Sequence, residues 1–390
     1  MFPTLGHLIN YILGTNILFP MPTYGFVLVM AFLTGGLVIR QSFIYREKTG
    51  VIASQKGKKL ISAPINYSDL ILSVVFNFIV AYKIGGIITQ YDMFTKGVDS
   101  YIFSTLGSLW IGLLVAALTL AYLYYRAKQV YSPEKVYEEI DVYPHTLWLN
   151  IMVVAAFAGI IGAKLFDILE NLDSFFKDPL DQLFSSGGFT FYGGLIMGIL
   201  GVFYYARKQK IDILTLMDAA APAILMAYAV GRMACMLSGD GCWGVPNPEP
   251  KPEFLAFLPD WMWAYDFPHN VIKEGVPIPS CNGDYCYMLD VPVFPTPFYE
   301  SSLSLVFAII VWNLKGRVKV AGVLFFLMLI MNGITRFFIE KIRVNNTYDI
   351  VGHQITQAEI ISSVLVLIGF IGIFFMHRIY KSNNKSITRY

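Results

Sequence analysis

Nine long apolar runs constrain this chain more than any other feature of its sequence. A helix that crosses a membrane needs roughly 20 mostly apolar residues. Only 14% of the 390 residues are charged, against about 25% in an ordinary soluble domain. The runs comprise residues 24–39, 69–90, 102–125, 147–166, 188–206, 214–236, 298–314, 320–342 and 357–377. The sequence therefore predicts an all-α fold, a polytopic membrane bundle of about nine transmembrane spans in a single integral membrane domain, 1–390.

The distribution of lysine and arginine predicts the orientation of the bundle, because cytoplasmic loops carry an excess of both. Of the 29 basic residues, nineteen lie in the segments that follow the first, third, fifth, seventh and ninth runs. Five lie in the opposite segments, and five lie inside the runs. We therefore expect the N-terminus outside and the C-terminus in the cytoplasm.

The remaining composition excludes several classes of protein and of site. No basic patch interleaved with aromatic residues indicates nucleic-acid binding, and four cysteines are too few for a disulfide framework. Residues 237–297 form the longest segment predicted to lie outside, as a periplasmic loop or cap. In that segment Cys281 and Cys286 either pair or remain free thiols. We expect no metal, because His269 is the only nearby histidine and the spacing matches no common zinc pattern.

Two arginines inside the runs are the strongest functional signal that the residues themselves carry. Charge within a bilayer is costly, and its usual explanation is function. Arg232 and Arg336 both lie toward the predicted outer ends of their spans, and two guanidinium groups at one depth indicate an anion such as a lipid phosphate. The structural alternative is an ion pair between Arg336 and Glu340, which are four residues apart on one helix face.

Two glycine-rich segments accompany these arginines. Residues 185–194 open the fifth run, and Gly194 forms with Gly198 a pair of small residues four apart, which is typical of close helix packing. Residues 231–244 contain four glycines and predict irregular backbone, which is tolerated at membrane depth where it lines a cavity. Asp240, between two of those glycines, is expected to direct a carboxylate into that cavity.

In its combination of intramembrane arginines and glycine-rich segments, the sequence resembles the prolipoprotein diacylglyceryl transferase family. The helix with Ala221-Pro222-Ala223 precedes Gly231-Arg232 and leads to Asp240 and Gly244, as in the family's signature. Five further segments occur in the family's order: Tyr24-Gly25, residues 161–165 (IGAKL), residues 187–194 (GGFTFYGG), residues 294–300 (FPTPFYE) and residues 333–340 (GITRFFIE). The resemblance covers roughly residues 20–40 and 150–375, so residues 41–146 are expected to be an insertion with two extra spans.

The sequence also departs from the family's pattern at positions that carry polar side chains. The family's usual histidine is Tyr192, and the asparagine of its signature falls at Cys235. The histidine and glutamine of another family motif are Phe294 and Pro297. An extra residue also lies between Arg232 and the last glycine of the signature.

The resemblance implies a reaction and a set of residues for it. The family moves a diacylglyceryl group from phosphatidylglycerol to the lipobox cysteine thiol of a prolipoprotein signal peptide, and it releases glycerol phosphate without a cofactor. The implied catalytic residues are Arg232, Arg336, Asp240, Tyr192 and Glu340. The implied substrate-binding residues are Arg232, Arg336, Tyr24, Gly193, Gly194, Gly244, Tyr299 and Glu300. The implied location is the inner membrane of a bacterial cell, with several passes.

Several assignments stay open at the level of sequence. Asp240 or Glu340 is the candidate proton acceptor, since Tyr192 has too high an ordinary pKa, near ~10, to act as a base. Cys235 either packs at the helix end or forms a covalent intermediate. The alternative functions are a paralogue with a different acceptor and a lipid-binding, anion-binding or transport protein without chemistry.

Overall fold

The computed structural model describes residues 1–62, 64–96, 101, 104–184, 188–344, 347–350 and 353–387, and its secondary structure is mostly helical. The helices are α1 (Leu5–Leu13), α2 (Thr23–Lys48), α3 (Tyr67–Thr89), α4 (Tyr91–Lys96), α5 (Leu109–Gln129), α6 (Trp148–Glu170), α7 (Leu172–Lys177), α8 (Pro179–Phe184), α9 (Phe191–Lys208), α10 (Ile213–Ser238), α11 (Thr296–Leu314), α12 (Val323–Glu340) and α13 (Gln357–Ile387). Three short antiparallel hairpins pair β1 (Gln55–Ser62) with β2 (Val136–Val142), β3 (Val276–Pro277) with β4 (Tyr287–Met288), and β5 (Thr347–Ile350) with β6 (His353–Thr356). The predicted all-α class therefore holds for everything but these hairpins.

Eight helices in the described part of the chain are long and apolar enough to cross a membrane. They correspond to eight of the nine predicted spans, although residues 102 and 103 of the third lie outside the described residues. The predicted fifth span corresponds to α9, which is not among the eight. Its 18 residues include four glycines and end in the basic pair Arg207 and Lys208, which lowers its apolar character. The architecture is that of a polytopic membrane protein.

The chain divides into two compact units. One unit consists of residues 9–21 and 53–143, and it contains α3, α5 and the β1–β2 hairpin. Helices α3 and α5 pack together, and the hairpin runs in register from Gln55 opposite Val142 to Leu60 opposite Tyr137. This unit overlaps the predicted insertion, 41–146, whose status as an insertion remains a prediction.

The other unit consists of residues 1–8, 22–52 and 144–390, and α10 is its central helix. Helix α10 packs against both α2 and α11, while α6 pairs with α9 and α12 pairs with α13. Small residues permit this closeness: a Cβ added at Gly35 of α2 would lie 3.1 Å from the Cβ of Ala227. Ala219, Ala221 and Ala223 of α10 are likewise buried. These contacts fix α10 against its neighbours.

The segment between α10 and α11 is an ordered loop that packs around its own aromatic residues. Trp243, Phe267, Leu289 and Val293 form a buried cluster with Met236 at the end of α10. Cys281 and Cys286 form a disulfide beside the β3–β4 hairpin, which decides the question that the sequence left open. The loop therefore holds the end of α10 and the start of α11 in a defined arrangement.

Candidate functional site

Three helix ends meet beneath this loop. Arg232 lies in the last two turns of α10, Glu300 in the first two turns of α11, and Arg336 in the last two turns of α12. Two serines of α11 fix its position, since Ser301 and Ser304 donate hydrogen bonds to backbone carbonyls of α10 at 2.8 Å each. The polar residues near these helix ends therefore share one location, as the two arginines predicted.

The charged residues at this location form one connected group, which we call the arginine–glutamate network. Its members are Arg232, Glu300, Arg336, Glu340 and Arg343. Glu300 is 1% exposed and forms ion pairs with three arginines: one carboxylate oxygen lies against Nε of Arg232, and the other accepts a hydrogen bond from Nη1 of Arg336 at 2.8 Å and lies 3.6 Å from Nη1 of Arg343. Glu340 lies 3.0 Å from Nη2 of Arg336. The predicted pair between Arg336 and Glu340 is thus confirmed, but as one edge of a larger network.

The network has more donors than it can satisfy. It holds three arginines against two glutamates, so its formal charge is +1. Among the residues that the structure describes, Nη2 of Arg232 and Nε of Arg343 are buried without a hydrogen-bond partner. Nε of Arg232 and Oε2 of Glu300 and Glu340 also form no hydrogen bond, but they lie in ion pairs within the network. Buried donors without a partner are costly, and an anion that accepts from them would remove that cost. The site therefore suits an anion that accepts hydrogen bonds.

A glycine-rich turn carries the chain from α10 back toward the network. Gly239 ends α10 at a φ of +67°, and Gly241 follows at +86°. Both angles lie in the left-handed region that glycine adopts without steric cost. Asp240 accepts a hydrogen bond from the backbone amide of Cys242 at 3.2 Å, which closes the turn. The irregular backbone predicted from the glycines is present.

This turn brings together three side chains that the sequence did not connect. We call Cys235, Asp240 and Cys242 the thiol–carboxylate cluster; both sulfurs and a carboxylate oxygen lie within 4.8 Å of one another. The thiol of Cys235 donates a hydrogen bond to Cys242, which lowers the pKa of Cys242 below its ordinary value. Nη1 of Arg232 lies 3.5 Å from the sulfur of Cys235. The cluster is thus continuous with the arginine–glutamate network.

Gly244, at the end of the same turn, allows the loop to approach α12 closely. Its amide donates to the carbonyl of Phe294 at 2.9 Å, and it pairs with Arg343 in an isolated β-bridge. A Cβ at this position would lie 2.4 Å from the carbonyl oxygen of Ile342. Gly244 therefore places the backbone of Arg343 beside the network.

The three tyrosines of the predicted site occupy different positions. Tyr24, at the start of α2, is half-buried and interacts electrostatically with the thiol–carboxylate cluster and with Arg232. Tyr299 donates its hydroxyl to the carbonyl of Met262 in the loop at 2.7 Å. Tyr192 is 39% exposed on α9, a helix that packs mainly against α6.

Gly193 and Gly194 lie where α9 meets α6. A Cβ at Gly193 would lie 2.4 Å from the Cβ of Phe166, and one at Gly194 would lie 3.1 Å from the carbonyl oxygen of Gly159. A Cβ at Gly198 would lie 3.9 Å from the Cα of Gly159. The close packing predicted for this pair is confirmed at Gly194, whereas a Cβ at Gly198 would make only ordinary van der Waals contact with α6. Residues 185–187, the start of this glycine-rich segment, lie outside the described residues.

Two groups at the site were not assigned from sequence. Tyr228 interacts electrostatically with Glu300, Arg232 and Arg336, and it lines a small pocket with Glu300. It precedes Arg232 by four residues, so the shared helix face could have identified it. Cys242 could not be found this way, because only the reversal at the two glycines brings it to Cys235.

Comparisons with known proteins identify a family and named relatives of this chain. A family model described as prolipoprotein diacylglyceryl transferase matches residues 109–375. A phosphatidylglycerol–prolipoprotein diacylglyceryl transferase of Leptospira interrogans is 26% identical over 290 residues, which cover 62% of this chain and 82% of the relative. An enzyme of the same name from Clostridium botulinum is 28% identical over 278 residues, which cover 70% of this chain and 94% of the relative. The family match begins within the predicted insertion and includes α5.

Proposed function

The chain belongs to the prolipoprotein diacylglyceryl transferase family, and from that premise we propose the reaction that it catalyses. It is a transferase that moves a diacylglyceryl group from phosphatidylglycerol to the lipobox cysteine thiol of a prolipoprotein. It acts in the inner membrane of a bacterial cell, with its N-terminus outside and its C-terminus in the cytoplasm. This orientation places the arginine–glutamate network, the loop and its disulfide on the outer side, where disulfides persist.

The surplus of buried arginine donors is the observation that carries the proposal. Nη2 of Arg232 is buried and without a hydrogen-bond partner among the described residues, and it belongs to a network of formal charge +1. The headgroup phosphate of phosphatidylglycerol is a singly charged anion whose oxygens accept from guanidinium groups. We assign phosphate binding to Arg232 and Arg336, with Glu300 holding both guanidinium groups in position.

These arginines would contribute most when the leaving group forms. Attack by the acceptor sulfur on the glycerol carbon breaks the bond between that carbon and the phosphate oxygen. Glycerol phosphate leaves with the bonding electrons, so its phosphate gains a second negative charge. Donors fixed at the place where charge develops stabilise the transition state more than the ground state. Removal of one such donor typically costs about 10²–10³ in rate.

The acceptor thiol must lose its proton, because the thiolate is the nucleophile. Of the two carboxylates considered for this step, Glu340 is bound to Arg336. Asp240 forms no ion pair among the described residues and lies with the two cysteines of the thiol–carboxylate cluster. Asp240 is therefore the better candidate for the proton acceptor.

A direct assay tests the proposal. The full chain in phosphatidylglycerol vesicles is incubated with a synthetic lipobox peptide, and mass spectrometry records the addition of a diacylglyceryl group. We expect modification of the cysteine peptide and none of a peptide with serine in its place. We also expect Arg232→Ala and Arg336→Ala each to abolish transfer, while Arg46→Ala, at a buried arginine outside the network, retains it.

Three outcomes would contradict the proposal, each in a different way. Full transfer by folded Arg232→Ala would remove the phosphate role of that arginine. Consumption of phosphatidylglycerol without peptide modification would indicate a family member with another acceptor. A folded wild-type protein that binds the lipid and consumes none would indicate a lipid-binding or transport function without chemistry.

A further inference from the structure

The thiol–carboxylate cluster has the composition of a metal site beside the phosphate-binding arginines. Two cysteine sulfurs and one carboxylate oxygen lie within 4.8 Å of one another. In a tetrahedral zinc site with Zn–S distances of about 2.3 Å, neighbouring sulfurs are about 3.8 Å apart. The donor atoms therefore need to move by about 1 Å or less to bind one cation. Sulfur donors select zinc and other thiophilic ions over magnesium or calcium.

The backbone around the cluster holds these donors in place. Cys235 lies in the last turn of α10, and the left-handed glycines Gly239 and Gly241 reverse the chain so that Cys242 returns to it. The carbonyl of Cys242 accepts from the hydroxyl of Thr296 at 2.9 Å, which ties the turn to the start of α11. The donors are thus presented on a helix end and on a turn that is bonded at both sides.

The charges nearby also fit a divalent cation. The cluster offers one carboxylate and two thiols beside the arginine–glutamate network. Replacement of two thiol protons by one divalent cation leaves the formal charge of the cluster unchanged. Nη1 of Arg232, 3.5 Å from the sulfur of Cys235, would then donate to a bound thiolate. Such second donors orient metal ligands and adjust their basicity.

We propose that Cys235, Asp240 and Cys242 bind a thiophilic divalent cation, with zinc as the natural choice, and that its fourth position receives the acceptor thiol. Three protein ligands and one open position are the pattern of a catalytic zinc site, whereas structural sites have four protein ligands. The second half of this inference, thiol binding, rests on the proposed function. A metal-bound thiol would explain how the acceptor loses its proton in a chain that has Tyr192 where its family has histidine.

The bound cation would take over proton removal, the task that otherwise falls to Asp240 alone. A thiol that coordinates zinc loses its proton, which passes to water. The thiolate sulfur attacks the glycerol carbon of the lipid and forms the new S–C bond, while the C–O bond to the phosphate breaks. Glycerol phosphate takes the bonding electrons, and the thioether product, a weaker ligand than the thiolate, leaves the cation. No redox change occurs.

Cobalt absorption tests the metal site without reference to activity. The full chain is purified in detergent under a reducing agent, stripped with a chelator and titrated with Co²⁺, and the thiolate-to-cobalt charge-transfer absorption is recorded. Elemental analysis then counts zinc after reloading and dialysis. We expect one zinc per chain and a cobalt band in the wild type. Cys242→Ser and Asp240→Asn should each lower the affinity at least tenfold. The double variant Cys281→Ser/Cys286→Ser removes two cysteines elsewhere and should leave the band unchanged.

A lipobox peptide added to the cobalt-loaded protein tests thiol binding. The charge-transfer intensity should rise by roughly half as a third sulfur joins two, and a peptide with serine in place of cysteine should have no effect. Absence of zinc and of a cobalt band in the reduced wild type would overturn the metal site, even if the protein still lipidates the peptide. A cobalt band that no cysteine peptide changes would overturn thiol binding. Metal and thiol binding without any diacylglyceryl transfer would instead contradict the proposed function.

Discussion

Buried arginines lie near carboxylates at both ends of α10. The two groups differ in whether each buried donor has a hydrogen-bond partner. Near the first turn, Asp218 accepts backbone hydrogen bonds from Gly322 at 2.9 Å and Phe325 at 3.1 Å, and Nη2 of Arg46 lies 3.9 Å away. Asp218 thereby caps the start of α12. Near the last turns, Glu300 forms ion pairs with three arginines. Nη2 of Arg232 nevertheless has no hydrogen-bond partner in the described part of the chain.

The difference separates a structural charge from a binding charge. Asp218 faces backbone donors that belong to the fold, so its interactions are complete before any ligand arrives. The arginine–glutamate network is incomplete without an anion, because three guanidinium groups share two carboxylates. Burial alone does not distinguish the two places, since Asp218 is 3% exposed and Glu300 is 1% exposed. The number of hydrogen-bond donors relative to acceptors distinguishes the two places.

The largest effect is expected where the network depends on one acceptor. Glu300→Gln removes the charge that three arginines share, and breaking a buried ion pair from one side typically costs about 3–5 kcal/mol. We expect transfer to fall more than 100-fold and the protein to unfold at a clearly lower temperature. The peptide lipidation assay and thermal unfolding in detergent measure the two effects.

Glu340→Gln is the matched control for that change, because Glu340 forms an ion pair with one arginine, Arg336, among the described residues, whereas Glu300 pairs with three. Its loss of stability should be smaller than that of Glu300→Gln. Equal losses in the two variants would mean that the shared acceptor is no more important than its neighbour, and the comparison between the ends of α10 would lose its basis.

The second effect compares the two arginines directly. Arg232→Lys keeps the positive charge but removes the planar fork of donors that matches a phosphate. We expect transfer to fall about 100-fold with little change in thermal stability. Arg46→Lys at the other end of α10 should leave the transfer rate of the folded enzyme within about twofold. A similar loss of activity in both variants would show that replacement of any buried arginine impairs the bundle, and would remove the specific role of donor geometry at Arg232.

The third effect concerns a residue whose replacement should lower stability and leave activity unchanged. Asp218→Asn leaves one acceptor oxygen for two backbone donors at the start of α12. Loss of such a cap typically costs about 1–2 kcal/mol. We expect a lower unfolding temperature and an unchanged rate of transfer per folded molecule at low temperature. A rate that falls tenfold in a folded Asp218→Asn protein would assign Asp218 to the reaction.

The helices of this fold and the general position of the site could be predicted from the sequence. An apolar run must satisfy its backbone within itself in a bilayer, so eight of nine runs were identified by composition alone. Arg336 and Glu340 could be paired because they are four residues apart on one helix. Arg232 and Arg336 could be brought together because both lie near the predicted outer ends of their spans.

The chemistry between elements could not be predicted in the same way. Glu300 becomes the shared acceptor only because two serines of α11 fix that helix on α10. Cys242 reaches Cys235 only because two glycines reverse the chain, and no helical spacing encodes that contact. The disulfide between Cys281 and Cys286 stayed open, since five residues of separation permit either state. In each case the missing information is the tertiary position of a short segment.

The smallest effect concerns a hydroxyl that the sequence suggested for the lipid. Tyr299 directly precedes Glu300 in α11, but its hydroxyl donates to the carbonyl of Met262 in the loop at 2.7 Å. Like the bonds that Asp218 accepts, this hydrogen bond is made within the fold and needs no ligand. Tyr299→Phe should therefore cost about 1 kcal/mol of stability and keep transfer within about threefold. Thermal unfolding and the lipidation assay on the same preparation measure both quantities. A tenfold loss of transfer with unchanged stability would place the hydroxyl on the lipid and would move Tyr299 from the structural residues to the binding residues.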